Sequence, residues 1–174
     1  THATPSLAYQ ARFENERRWL TFDALAGRVV PGAPMHRELV GWGIPPDELA
    51  ALAAEPCPPD VVGINHYVTS ERFLDRRYGR YPPHMRGGNA LHRYADVEAV
   101  RVLAAGLHGP RRLLAEAWER YRLPLAVTEA HLGDTREQQL RWLAEVWDAA
   151  TSLRAAGADV RAVTAWSAFG TLDW

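Results

Sequence analysis

Glu129 closes a short apolar run, Leu125-Ala126-Val127-Thr128, and a carboxylate at the end of a buried strand must be hydrogen-bonded or charge-paired to remain ionised. Two other runs of the same kind end in comparably equipped residues. Val61-Val62-Gly63-Ile64 leads into Asn65 and Tyr67, and the run Val160 to Trp166 ends on an aromatic with Asp173 and Trp174 beyond it. Taken singly, each residue has an ordinary structural explanation. Glu129 could cap a helix or sit in a salt bridge, Trp166 could be a core aromatic, Tyr67 could pack, Asn65 could cap a strand end, and Asp173 could be a solvated carboxylate. Two local features favour chemistry at Glu129. Pro124 fixes the strand entry, and Ala130-His131 with Gly133 forms a loop that leaves the carboxylate at a rim. The seven histidines lack metal-ligand spacing, so no metal and no other cofactor is expected. His131, beside Glu129, is the one histidine taken as a candidate substrate contact.

These residues need a scaffold that gathers strand ends. The runs near 61–65, 124–129 and 160–166 are short, apolar and bounded by turn signals, as buried parallel strands are. Between them lie helical patterns. One is expected over Asp96 to Gly106 and another from Gly109-Pro110 to about Tyr121. A long amphipathic helix carries Leu140, Leu143, Trp147 and Ala150, with Asp134 and Glu137 as its expected capping pair and Gly157 as its stop. Strands separated by helices are βαβ units, and right-handed crossovers turn them into a parallel sheet whose C-terminal ends share one rim. Upstream, Leu7 to Arg28 reads as a helix. It is followed by a breaker-rich surface connection with a short helix over Asp47 to Ala54, and Thr69 to Tyr94, rich in Arg, Tyr, Gly and Pro, is expected to be a long loop.

Composition narrows the partners. The chain has 174 residues, 47% of them hydrophobic, which is the size of one ordinary domain but too short for a complete (β/α)8 barrel. A formal net charge of -1 and a pI near 6.6 give no pull toward nucleic acid or an anionic membrane, and suit a small neutral substrate. All 20 basic residues are arginine and none is lysine. A single cysteine, Cys57, precludes an internal disulfide. With no apolar run near the ~18 residues that span a bilayer and no leader pattern at Thr1-His2-Ala3-Thr4-Pro5, the expected location is cytoplasmic. The first residue is not Met, as expected of an excerpt from a longer chain.

The motifs also carry a resemblance. Gly63-Ile64-Asn65-His66-Tyr67 resembles the G-I-N-Y-Y segment of family 1 glycoside hydrolases, and Leu125-Ala126-Val127-Thr128-Glu129 is similar to their I-T-E-N-G nucleophile strand. Ala165-Trp166-Ser167 with Asp173-Trp174 resembles W-S-L-L-D-N-F-E-W. The matches keep their order over residues 61 to 174. The resemblance implies an α/β fold, the C-terminal half of a TIM barrel, with residues 1–174 forming a partial barrel domain whose N-terminal half must come from elsewhere. It implies a retaining β-glycosidase with Glu129 as catalytic nucleophile and Tyr67 as the hydrogen-bonding residue that orients it. Asn65 would hold the polar rim, Trp166 would lie under the sugar ring, and Asp173 with Trp174 would contact its hydroxyls.

Several positions depart from the pattern. Ala130-His131 replaces the Asn-Gly after the nucleophile, Asp173 replaces the Glu of the last motif, and the N-E-P segment that supplies the acid does not occur. Retaining hydrolysis needs a second carboxyl about 5 to 5.5 Å from the first. Glu14 and Glu16 lie in an apparent helix among arginines and are poor substitutes, so residues 1–174 alone should be inactive. The alternative implied by the same departures is a diverged sugar-binding module fused to a sugar-nucleotide reductase similar to dTDP-4-dehydrorhamnose reductase. A third reading, from another class, is an α/β interaction protein whose strand-end polar residues only cap.

Overall fold

The computed structural model describes residues 1–167 of the chain. Its elements run, in order, β1 (His2–Ala3), α1 (Ala8–Arg17), α2 (Leu20–Leu25), α3 (Pro34–Gly41), α4 (Pro46–Ala54), β2 (Val62–Asn65), β3 (Arg72–Asp75), β4 (Arg86–Gly88) and β5 (Arg93–Glu98). They continue with α5 (Gly109–Tyr121), β6 (Leu125–Ala130), α6 (Arg136–Ala155) and β7 (Val160–Ala165). The chain divides into two compact units, one of Thr1–Pro59 with Leu74–Asp96 and the other of Asp60–Phe73 with the chain from Val97 onward.

The second unit carries the three expected strands. They form one sheet in the order β2-β6-β7, and both pairings are parallel. In register, Val62 pairs with Leu125 and Leu125 with Val160, so these side chains point the same way, and all three are buried. The helices cover that face. Leu114 and Ala117 of α5 and Val146, Ala149, Ala150 and Leu153 of α6 are buried with it. Full burial of a Leu or Val side chain stabilises by roughly 1.5–3 kcal/mol relative to leaving it exposed. The opposite face is open, with Gly63, Asn65, Thr128 and Ala162 exposed, although parallel sheets are normally covered on both sides. Beside β7 lies an apolar hollow of about 380 Å³ between Leu140, Leu143, Ala144, Trp147, Val163 and Ala165.

Helix ends in this unit follow local chemistry. Thr135, not Asp134 with Glu137, caps α6: its hydroxyl accepts from the Gln138 N–H at 3.4 Å, because a Thr-x-x-Gln spacing one residue later supplies the same geometry. The carboxylate of Glu71 accepts from the backbone N–H groups of His108 (3.0 Å) and Gly109 (2.6 Å), and so satisfies donors that α5 leaves open at its first turn. At the other end of α5, Arg122 adopts the left-handed conformation, φ 55°, while its guanidinium lies 5.5 Å from the Trp118 ring centroid.

In the other sheet β1, β3, β5 and β4 line up in that order, with β4 and β5 antiparallel. Leu7, Leu74 and Tyr94 make a buried cluster flanked by Ala3 and Tyr9. Pro34 and Pro46 open α3 and α4, where a missing N–H and a fixed φ cost nothing. Gly27, at φ +66°, ends α2, and a Cβ there would lie 2.9 Å from the Ala53 carbonyl oxygen. Asp75 is fully buried and holds the next turn: it accepts from the Arg77 backbone N–H at 2.8 Å, the Arg77 guanidinium at 3.0 Å and the Tyr81 hydroxyl at 2.8 Å.

Four further expectations change. The Leu7 to Arg28 helix is two helices broken at Arg18-Trp19, since the apolar spacing lapses between Ala11 and buried Trp19. The surface connection contains α3. The Thr69 to Tyr94 loop contains β3 and β4, whose arginines and glycines hide the alternation by which strands are read. In place of a helix over Asp96 to Gly106, β5 runs to Glu98 and a 3-10 turn follows, because the Ala99 N–H is taken by the Glu71 carbonyl at 2.8 Å. Among the described residues, no helix is long and apolar enough to cross a membrane.

Candidate active site

The site lies within the second unit, at the C-terminal ends of β2, β6 and β7. Parallel pairing alone brings these ends together. Irregularities in register then aim the side chains. β2 shifts against β6 between Ile64 and Asn65, which sets Asn65 opposite Glu129, and β7 shifts against β6 between Val127 and Ala130. Such bulges let consecutive side chains leave the strict alternation of a strand. Main-chain bonds hold the end of β6 from both sides: the His66 N–H donates to the Glu129 carbonyl at 3.4 Å and the Trp166 N–H to the Ala130 carbonyl at 3.1 Å.

The hydroxyl of Tyr67 donates to Glu129 Oε2. Tyr67 is itself fixed by a tight turn, in which its N–H donates to Ser70 Oγ at 2.9 Å and its carbonyl accepts from the Ser70 N–H at 3.0 Å. Both members of the pair are half-buried, so the carboxylate is partly shielded yet reachable. A hydrogen bond to a charged group in such a place is worth about 1.5–3 kcal/mol. Asn65 is held by Thr128, whose hydroxyl donates to Asn65 Oδ1 at 2.6 Å. Thr128 is in turn fitted to Gly63: a Cβ at 63 would meet its methyl at 3.0 Å.

Of the other candidates, Trp166 is 37% exposed, and its peptide bond to Ser167 is cis. His131 follows β6 directly and is half-buried. Asp173 and Trp174 lie outside the described residues. Sequence reading passed over Thr128, which orients Asn65, and His66, which is buried with its ring 5.9 Å from that of Trp142 on α6. Thr128 could have been found from its place beside Glu129 in the same run. His66 gave no signal, because its neighbour belongs to a helix far along the chain.

Chemically, the arrangement offers a partly shielded carboxylate oriented by a phenol, with an amide on the adjacent strand and an exposed indole at the end of the third. A carboxylate suits hydroxyl groups and an aromatic face suits C–H groups.

No protein-family model matches the chain, and no curated protein matches it. Solved structures do. The AHE enzyme from Alicyclobacillus herbarius superposes with a TM-score of 0.62 at 22% identity, over 96% of this chain and 40% of that one. The virulence factor SghA, solved with its substrate analog salicin, gives 0.55 at 19%, over 88% and 35%. A family 1 β-glucosidase from Thermotoga maritima gives 0.51 at 17%, over 84% and 33%. The chain thus spans between 33% and 40% of the length of these structures. The likeness is one of architecture: the chain has a β-glucosidase-like α/β fold with parallel strands, corresponding to part of a TIM-barrel glycosidase.

Proposed function

We propose that this chain is the nucleophile-bearing part of a retaining β-glycosidase-type hydrolase acting on O-glycosidic bonds, of the family 1 kind. The observation that carries the reading is the hydrogen bond from Tyr67 to Glu129 across neighbouring parallel strands. Glu129 attacks the anomeric carbon and the bond to the leaving oxygen breaks, giving a glycosyl-enzyme ester. A carboxylic acid from outside residues 1–174 protonates that oxygen, then as a carboxylate takes a proton from the water that cleaves the ester. Tyr67 keeps one carboxylate oxygen occupied so that the other faces the substrate. Asn65, Trp166 and His131 line the sugar position, and the resemblance alone assigns Asp173 and Trp174 to its hydroxyls.

The open face, and the edge of β7 that has no strand partner among the described residues, support a companion statement. The remaining barrel strands come from chain outside this sequence, and residues 1–174 alone do not turn over. In a full-length protein containing this segment, Glu129→Gln is expected to abolish turnover of an aryl β-glycoside. Ordinary activity in that variant removes the nucleophile assignment.

A second reading keeps the sugar and drops the hydrolysis. Ala130-His131 stands where the family has Asn-Gly, and Asp173 where it has Glu. Both changes suit a sugar-binding module fused to a sugar-nucleotide reductase. An upstream N-E-P segment in the coding sequence favours the enzyme, and a downstream dinucleotide fingerprint favours the module.

A further inference from the structure

Residues 76–93 of the first unit hold Arg76, Arg77, Arg80, Arg86 and Arg93 and no acidic residue, in a chain whose formal net charge is -1. Arg77 pairs with buried Asp75 at 3.0 Å. Arg86 uses Nε on the Tyr81 carbonyl, at 2.7 Å, and Nη2 on the Gly79 carbonyl, at 3.4 Å, which fixes the guanidinium without neutralising it. Arg93 lies with its guanidinium carbon 5.7 Å from the Tyr78 ring centroid. Neither Arg86 nor Arg93 meets a carboxylate among the described residues.

These two arginines line the same hollow, about 410 Å³, with Tyr78, Gly87, Gly88 and Asn89. That volume is within the usual range for small-molecule sites. Its wall is built rather than loose. Asn89 Oδ1 accepts from the N–H groups of Leu91 and His92, both at 2.9 Å, and Asn89 Nδ2 donates to Gln10 Oε1 at 2.7 Å. Gly88 admits no side chain, since a Cβ would lie 2.5 Å from the His92 carbonyl oxygen. Adjacent glycines leave backbone open to close approach.

We propose that this hollow binds the phosphate group of a small phosphomonoester. Two uncompensated guanidinium groups match a dianion in charge, and their forked donors match the geometry of phosphate oxygens. A recess of this size favours a small molecule over an extended polyanion lying across a surface. The proposal is independent of Glu129, and its test contains no turnover.

Isothermal titration of the full-length protein containing this segment with inorganic phosphate and with phenyl phosphate is expected to give saturable binding that acetate does not compete away. Arg93→Gln and Arg86→Gln should each weaken it about tenfold or more, the worth of one charge-assisted hydrogen bond, while Arg111→Gln on α5 leaves it unchanged. Because Arg86 also anchors two carbonyls, circular dichroism of both variants is recorded, and Arg93→Gln decides the matter if Arg86→Gln loses structure. Absence of saturable phosphate binding, or equal binding by Arg93→Gln, overturns the proposal. So does an oligonucleotide that binds more tightly than phenyl phosphate with a steep salt dependence, because the recess would then be part of a polyanion surface.

Discussion

The Tyr67 hydroxyl donates to Glu129 Oε2 from the neighbouring strand, and Tyr67 is held for this by a turn closed on Ser70. Tyr67→Phe removes the donor while keeping the ring. On the glycosidase reading, kcat of the full-length protein should fall about 10- to 100-fold, and the loss of stability should not exceed the roughly 1.5–3 kcal/mol of one hydrogen bond to a charged group. Steady-state kinetics beside a melting curve make the check. An unchanged kcat shows that the phenol only packs.

Acid should weaken the first unit through Asp75. Burial pushes its carboxyl up, but hydrogen bonds from the Arg77 side chain and backbone and from Tyr81, with the Arg77 charge, outweigh burial and hold it below its ordinary value of 3.8. A carboxyl depressed in the folded state stabilises fully above its unfolded pKa, and that contribution disappears as pH falls through the folded one. Stability should therefore drop below about pH 4. Asp75→Asn should cost about 1–3 kcal/mol at neutral pH, a range discounted because Arg77 is half exposed. The variant should also flatten the acid limb, which urea denaturation at several pH values would measure. An acid limb as steep as that of the parent assigns the loss to other carboxyls.

Arg122 spends free energy on its left-handed backbone. Arg122→Gly relieves it and should stabilise the chain by about 0.5–1 kcal/mol, less what the Trp118 stacking contributes. Thermal denaturation reads this as a rise of roughly 2–4 °C per kcal/mol in a chain of this size. A fall in Tm would mean that the stacking on Trp118 outweighs the backbone strain.

Residues 1–174 produced alone should self-associate. Leu140 and Trp147 are each 56% exposed on the wall of the hollow beside β7, and that strand has one edge unpaired among the described residues. Size-exclusion chromatography should show oligomers, and Leu140→Glu with Trp147→Glu should raise the monomer fraction. A well-behaved parent monomer counts against an unclosed barrel.

The parallel strands were legible because each is a compact apolar run framed by Pro, Gly or Asp, and their ends shift by one residue at most from the expected limits. Helix α5 was legible for a similar reason, since Gly109-Pro110 announces it. What escaped depends on partners distant in sequence. β3 and β5 are strands because they pair with each other, and their sequences, Arg-Phe-Leu-Asp and Arg-Tyr-Ala-Asp-Val-Glu, lack clean alternation. Asp75 looked like one more charge in an arginine-rich loop, although three donor groups converge on it. At the site, residue types marked Glu129 and Tyr67, but their contact depends on the local turn at Ser70 and on a register shift that no spacing rule encodes.

The tight fit between Gly63 and Thr128 makes those two positions heritable as a couple. An alanine at 63 has room only if the methyl at 128 retreats, and a serine there would grant it while keeping the hydroxyl that steadies Asn65. Among natural versions of this chain, substitution at one position should accompany substitution at the other, so that a covariation signal traces the support under Asn65 before any ligand is known.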